Sequence, residues 1–148
     1  MVIEILKAFY IRDLKKLRQE ISLYRSEKTI WLTSKEIANS AGNLCLHLVG
    51  NLNTFIGTVM GNTGYVRHRD AEFSLKDVPK DELLKKIDDT IVVIEKTLAG
   101  KNDELLAKEY PVLVFEKKTS TGEMLIHLST HLSYHLGQVN YHRRLLDN

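Results

Sequence analysis

A chain of 148 residues is long enough to bury one hydrophobic core, and its 43% hydrophobic and 27% charged residues are those of a soluble globular domain, not a disordered one. A formal net charge of +2 gives no basis for binding nucleic acid or another polyanion through bulk charge. Apolar runs are short and interrupted by Lys, Asp or Asn, and the N-terminal segment carries Glu4 and Lys7, so neither a membrane span nor a signal peptide is read. One cysteine, Cys45, excludes an intramolecular disulfide, and a cytoplasmic location is expected.

In chain order, Ile3, Leu6, Tyr10, Leu14, Leu17 and Ile21 repeat at steps of three and four, which predicts a helix over roughly residues 2–24. A second helix is expected from Thr33, which has capping-box spacing to Glu36, to about Met60. Its apolar stripe is Ala41, Leu44, Leu48, Leu52, Phe55 and Val59, with Gly42 and Gly50 as points of weakness. Residues 61–78 form a long connection without clear periodicity, a kind of segment that is more often functional than idle. Within it Arg67, Arg69, Asp70 and Glu72 are either a solvated cluster of internal ion pairs or a place where an arginine meets a substrate carboxylate.

A third helix follows Pro79, with Leu84, Ile87, Ile91, Ile94 and Leu98 as its stripe and Gly100 as its stop. Residues 109–118 have room for one short strand or a hairpin. A fourth helix is expected from Ser120, paired with Glu123, almost to the end of the chain. Four amphipathic helices bury their apolar faces best as one four-helix bundle, so residues 1–148 are read as a single all-α domain.

The last helix carries most of the chemistry. With His127 at zero on a helical wheel, Gln138, His131, His142 and His135 fall at about 20°, 40°, 60° and 80°. The apolar stripe of Leu125, Leu128, Leu132, Leu136, Val139 and Leu146 centres near about 130°, so the histidines line its margin. His131 and His135, four residues apart, place imidazoles on adjacent turns, where two can hold one ion. Hydrogen-bonded boundary histidines would give the same spacing. A metal would need a third ligand, and His47 in the second helix is the best candidate. Cys45 lies about 200° from His47 around that helix and is read as a packed core thiol.

The stretch His127–Gln138, HLSTHLSYHLGQ, resembles the C-terminal signature of the DinB/YfiT-like superfamily of metal-dependent enzymes: a leading His, then HxxxH, then Gly-Gln. His47 in LCLHLVGNL matches that family's histidine in the second helix, and the likeness extends over essentially the whole chain. It implies a four-helix bundle, often a homodimer, with a long connection between helices 2 and 3. His47, His131 and His135 would surround one divalent ion, zinc or nickel first and iron or manganese as alternatives. The resemblance also implies thiol-dependent transfer or isomerisation with low-molecular-weight bacterial thiols. Tyr134 and Leu136 stand where relatives often have His and Arg, which leaves ligation intact and puts shared substrate contacts in doubt. His127 is then a neighbour of the ligands or a core residue, and His68 and His142 are boundary or surface residues.

Three histidines with an open position make a catalytic type of site, where the ion acidifies bound water or thiol. No HExxH occurs, so the protease pattern is absent. Gln138, Tyr134 and Asn51 are the weak candidates for orienting a ligand or bound water. The leading expectation is a thiol-dependent S-transferase acting on small electrophiles. A hydrolase using metal-bound hydroxide is the nearest alternative, and a non-catalytic dimeric bundle pinned by metal is a third. The expected partners are a small-molecule substrate, such as a low-molecular-weight thiol, and a second copy of the chain. Val2, Ile5 and Phe9 form a second apolar patch on helix 1 that either meets that copy or packs beneath the long connection.

Overall fold

The computed structural model describes residues 1–148 and contains helices and no strands. Six α-helices follow one another: α1 (Val2–Ser22), α2 (Ala41–Gly61), α3 (Arg69–Ser74), α4 (Lys80–Leu98), α5 (Glu104–Ala107) and α6 (Thr121–Leu146). A 3₁₀ turn, Glu27–Trp31, lies between α1 and α2. The long helix α1 packs along α4 and α6, and α2 packs against α3, α4 and α6. All six predicted stripe residues of α1 are buried, and the Tyr10 hydroxyl donates to the Leu125 carbonyl to fasten α1 onto α6.

The second helix differs from expectation at its start. Thr33 and Glu36 sit in a turn held by the Ser34–Ile37 bridge, with Lys35 at a φ of 45°, a left-handed conformation that no helix accommodates. Helix α2 begins instead after Ser40, whose hydroxyl accepts from the Asn43 amide. Gly42 and Gly50 do not break it. Each marks a close approach: a Cβ on Gly42 would stand 2.6 Å from the Trp31 ring, and one on Gly50 only 1.8 Å from a Glu72 oxygen.

The irregularity falls later, at Asn53–Thr58, where the helix widens into π geometry. The Asn53 amide donates to the Val49 carbonyl and the Tyr110 hydroxyl to the Phe55 carbonyl, so carbonyls around the wide turn keep partners.

Every residue from Ala41 to Leu52 is buried, so α2 is enclosed on all sides and is no ordinary amphipathic helix. Against the sequence reading, Ala41–Gly61 is long and apolar enough to cross a membrane by length and composition. Two-thirds of that apolar window (67%) is buried inside the protein, as for a core helix. The strand expected within residues 109–118 is absent as well. That segment makes one isolated bridge, Glu109 to Ser120, and no strand beside it offers further pairing. The Ser120 hydroxyl caps α6 by accepting from the Glu123 amide, as its spacing predicts.

Candidate metal centre

Helix geometry fixes two of the three histidines. His131 and His135 project from successive turns of α6, with ring centroids 4.6 Å apart and planes at 89°. His47 reaches them from α2, its centroid 5.1 Å from His131 and 5.4 Å from His135. One nitrogen from each ring lies within 4.8 Å of the others, a group that could hold a metal ion. The His47 and His131 Nε2 atoms are 3.2 Å apart. Two nitrogens bound at about 2.0–2.1 Å in tetrahedral geometry stand roughly 3.3 Å apart, so this spacing fits shared ligation without rearrangement.

The far nitrogens of two rings are already engaged. His47 Nδ1 donates to Glu72 Oε1 at 3.1 Å, and His135 Nδ1 donates to Gln138 Oε1 at 2.6 Å. Each bond leaves the Nε2 lone pair free for an ion. With His47 Nδ1 protonated, the contact between Nε2 atoms is a hydrogen bond only where His131 carries its proton on Nε2. His131 Nδ1 is buried and makes no hydrogen bond in the protein, and a neutral His131 that binds an ion at Nε2 carries its proton on Nδ1.

The carboxylate on His47 comes from α3, inside the long connection. Glu72 is buried, and the Arg67 guanidinium grips it with two bonds, Nε to Oε2 at 2.8 Å and Nη2 to Oε1 at 2.9 Å. Arg67 is therefore committed to Glu72: the internal ion pair of one sequence reading is present, but it is buried and not solvated, and this arginine is not open to a substrate carboxylate. Asn43 ties α3 down by donating to the Glu72 and Leu75 carbonyls at 2.9 and 2.8 Å. Gly50, one turn beyond His47 on α2, leaves the room that the Glu72 carboxylate occupies. Phe73 packs on the His47 ring at 5.0 Å.

The other singled-out residues are distributed as follows. His127 is exposed, stacks toward His131 at 6.3 Å and lies outside the three-histidine group. Tyr134 is 66% exposed with its ring beside His135, and the buried Asn51 Oδ1 has no hydrogen bond in the protein. Cys45 is fully buried in the core, and burial pushes its thiol up to about 12. His68 is exposed. His142 is not the boundary or surface residue expected. It is buried, accepting from the Tyr24 hydroxyl at Nδ1 (2.7 Å) and donating from Nε2 to the Leu32 carbonyl (2.8 Å). Its wheel position at the stripe margin placed it near the core, but its partners lie beyond the end of α1 and were not visible in local spacing.

Burial, reinforced by His135, His47, His127 and Arg67, pushes His131 down from an ordinary 6.5 to about 4. Burial also lowers His47, against the opposing pull of Glu72. Both rings are thus held unprotonated in the fold, the state a metal ligand needs. Because the folded value lies below the unfolded one, stability is complete above about 6.5 and is lost as pH falls toward about 4. From His131 alone, with its partial exposure screening the effect, metal-free protein should lose on the order of 1 kcal/mol between about pH 7 and about pH 5. Urea unfolding at those two values checks this, and unchanged stability would contradict it.

Fold and site together define an all-helical protein with a three-histidine group that could hold a metal ion. By sequence the chain belongs to DUF1572, a family of proteins of unknown function, whose profile matches residues 4–148. No curated protein and no solved structure matches it.

Proposed function

We propose that the chain is a DinB/YfiT-like four-helix bundle, built on α1, α2, α4 and α6, that works as a divalent-metal-dependent enzyme. On this reading it transfers a low-molecular-weight thiol to a small electrophile. The observation that carries the proposal is the convergence of three imidazoles from two helices, with one nitrogen from each within 4.8 Å of the others. His47, His131 and His135 would hold the ion, zinc or nickel before iron or manganese. When bound, the ion would act as a Lewis acid and lower the pKa of a thiol that reaches it.

The chain's own residues do the rest. Glu72 and Gln138 fix the ring orientation of His47 and His135 through their Nδ1 protons, and Arg67 balances the Glu72 charge. All three ligands are neutral, so the ion would keep its full positive charge. A homodimer belongs to the same reading, with the exposed Val2, Ile5 and Phe9 as its face.

The test begins with elemental mass spectrometry on untagged protein, where about one equivalent of a divalent ion is expected. The loaded protein should then consume 1-chloro-2,4-dinitrobenzene in the presence of cysteine, above the spontaneous rate and only with metal. Failure to take up any ion after reconstitution would sink the proposal. Thiol-independent loss of an ester probe would favour the hydrolase instead.

A further inference from the structure

A cavity of about 520 Å³ opens beside the histidine group, where residues 36–39 face the second half of α6. His135 and its partner Gln138 stand in its wall, so whatever fills it lies against one of the three rings. Much of the wall is apolar: Ile37, Leu44, Leu145 and the rings of Tyr134 and Tyr141. Tyr134, Gln138, Tyr141 and Leu145 recur at steps of four, three and four, so they share one face of α6. Tyr134, Tyr141 and Leu145 are 66%, 63% and 61% exposed, a run of large side chains that the fold itself does not cover. Single exposed apolar residues are ordinary, whereas a row of them lining a concavity marks a binding surface.

The charge in that wall has one sign. Glu36 is its only acid, and no Lys or Arg lines it. Arg144 lies over the Tyr141 ring at 5.3 Å without forming part of the wall. The α6 side of the wall is anchored. His142, itself a lining residue, holds the Leu32 carbonyl at the root of the 32–40 segment, while Tyr24 holds His142.

We infer that this cavity binds a small organic cation, with an aromatic or branched-aliphatic body and a protonated amine. The body would lie among Ile37, Leu44 and the two tyrosine rings, and the amine would face Glu36 and the Tyr134 ring, since Arg144 already lies over Tyr141. This deepens the enzyme reading by naming the class of its electrophilic substrate, and only the word substrate rests on that reading. In the metal-free protein a carboxylate or phosphate would meet Glu36 with no cation in the wall to offset it. Because Glu36 is exposed, its preference for a cation is modest, about fivefold over a neutral analogue.

Three probes of one size separate these terms: phenethylamine, 2-phenylethanol and 3-phenylpropionate. Each is titrated into metal-free and metal-loaded protein, with amide chemical shifts read by NMR. In the metal-free protein the expected affinity order is amine, alcohol, carboxylate, with shifts at Ile37, Tyr134 and Gln138. Glu36→Gln should remove the amine's advantage over the alcohol, and Tyr141→Ala should weaken all three. Both residues are exposed, so neither change threatens the fold. Absence of binding, shifts elsewhere, or a carboxylate that binds as well as the amine would overturn the inference. Amine binding to a chain that takes up no metal would keep the pocket and sink the enzyme reading. Metal uptake without amine binding would do the reverse.

Discussion

Replacing His131 with alanine is expected to lower affinity for a divalent ion by more than about a hundredfold, enough to leave the purified protein without stoichiometric metal. Losing a residue that merely orients a ligand already costs about 10–100-fold, and His131 is placed as a ligand itself. Its Nε2 is 3.2 Å from that of His47, and its ring meets His135 edge-on, so removing it leaves two donors and no centre.

The variant should still fold, because His131 is only partly buried and its Nδ1 makes no hydrogen bond that would be lost. It should also lose much of the acid sensitivity between about pH 7 and about pH 5, since the ring that burial holds unprotonated is gone. Chelator competition on wild type and variant, with urea unfolding at the two pH values, reads both effects. A folded variant that retained the wild-type affinity would remove His131 from the site.

The contrast between what was and was not legible in the sequence follows from the range of the interactions. The stripe of α1 and the Ser120 cap of α6 depend on neighbours within one or two turns, so spacing alone located them. The spacing of His131 and His135 is equally local. His47 is a candidate from its place beside an apolar stripe and gains weight from the resemblance, because nothing in the spacing of α2 says which face meets α6.

The false start at Thr33 has the opposite cause. Its distance to Glu36 satisfies a local rule, but the segment is bent into a turn, and Trp31 packs on Gly42 beside it. Gly50 was read as a weakness of the helix, whereas it is the space into which α3 inserts a carboxylate. The register of α3 against α2 is set by tertiary contacts, among them the two bonds from Asn43, and no pattern within residues 61–78 encodes it. The one usable signal was a long, aperiodic connection with acids and arginines interspersed.

Glu72 is where this hidden register has its largest consequence. Glu72→Gln keeps the shape and still allows the side chain to accept from His47, but it removes the charge that Arg67 grips with both arms. Breaking one side of so buried a pair leaves a guanidinium that is only 16% exposed without its counter-charge, and a loss of about 3 kcal/mol is expected. Affinity for the ion should fall by about 10–100-fold, because the bond that orients His47 weakens with the charge.

Gly50→Ala attacks the same contact from the other side, by placing a methyl group 1.8 Å from the position of Glu72 Oε2 and driving the carboxylate away with its charge intact. It should cost a similar amount in both stability and affinity. In a Glu72→Ala background, Gly50→Ala should add little, because the oxygen it strikes is gone and the next neighbour, Arg67 Nε, lies at an ordinary 3.4 Å. Urea unfolding of the metal-free proteins and chelator competition on the loaded ones give the two halves of this cycle. Additive losses would mean that Gly50 serves some other contact. Full affinity in Glu72→Gln would mean that His47 is oriented without its carboxylate.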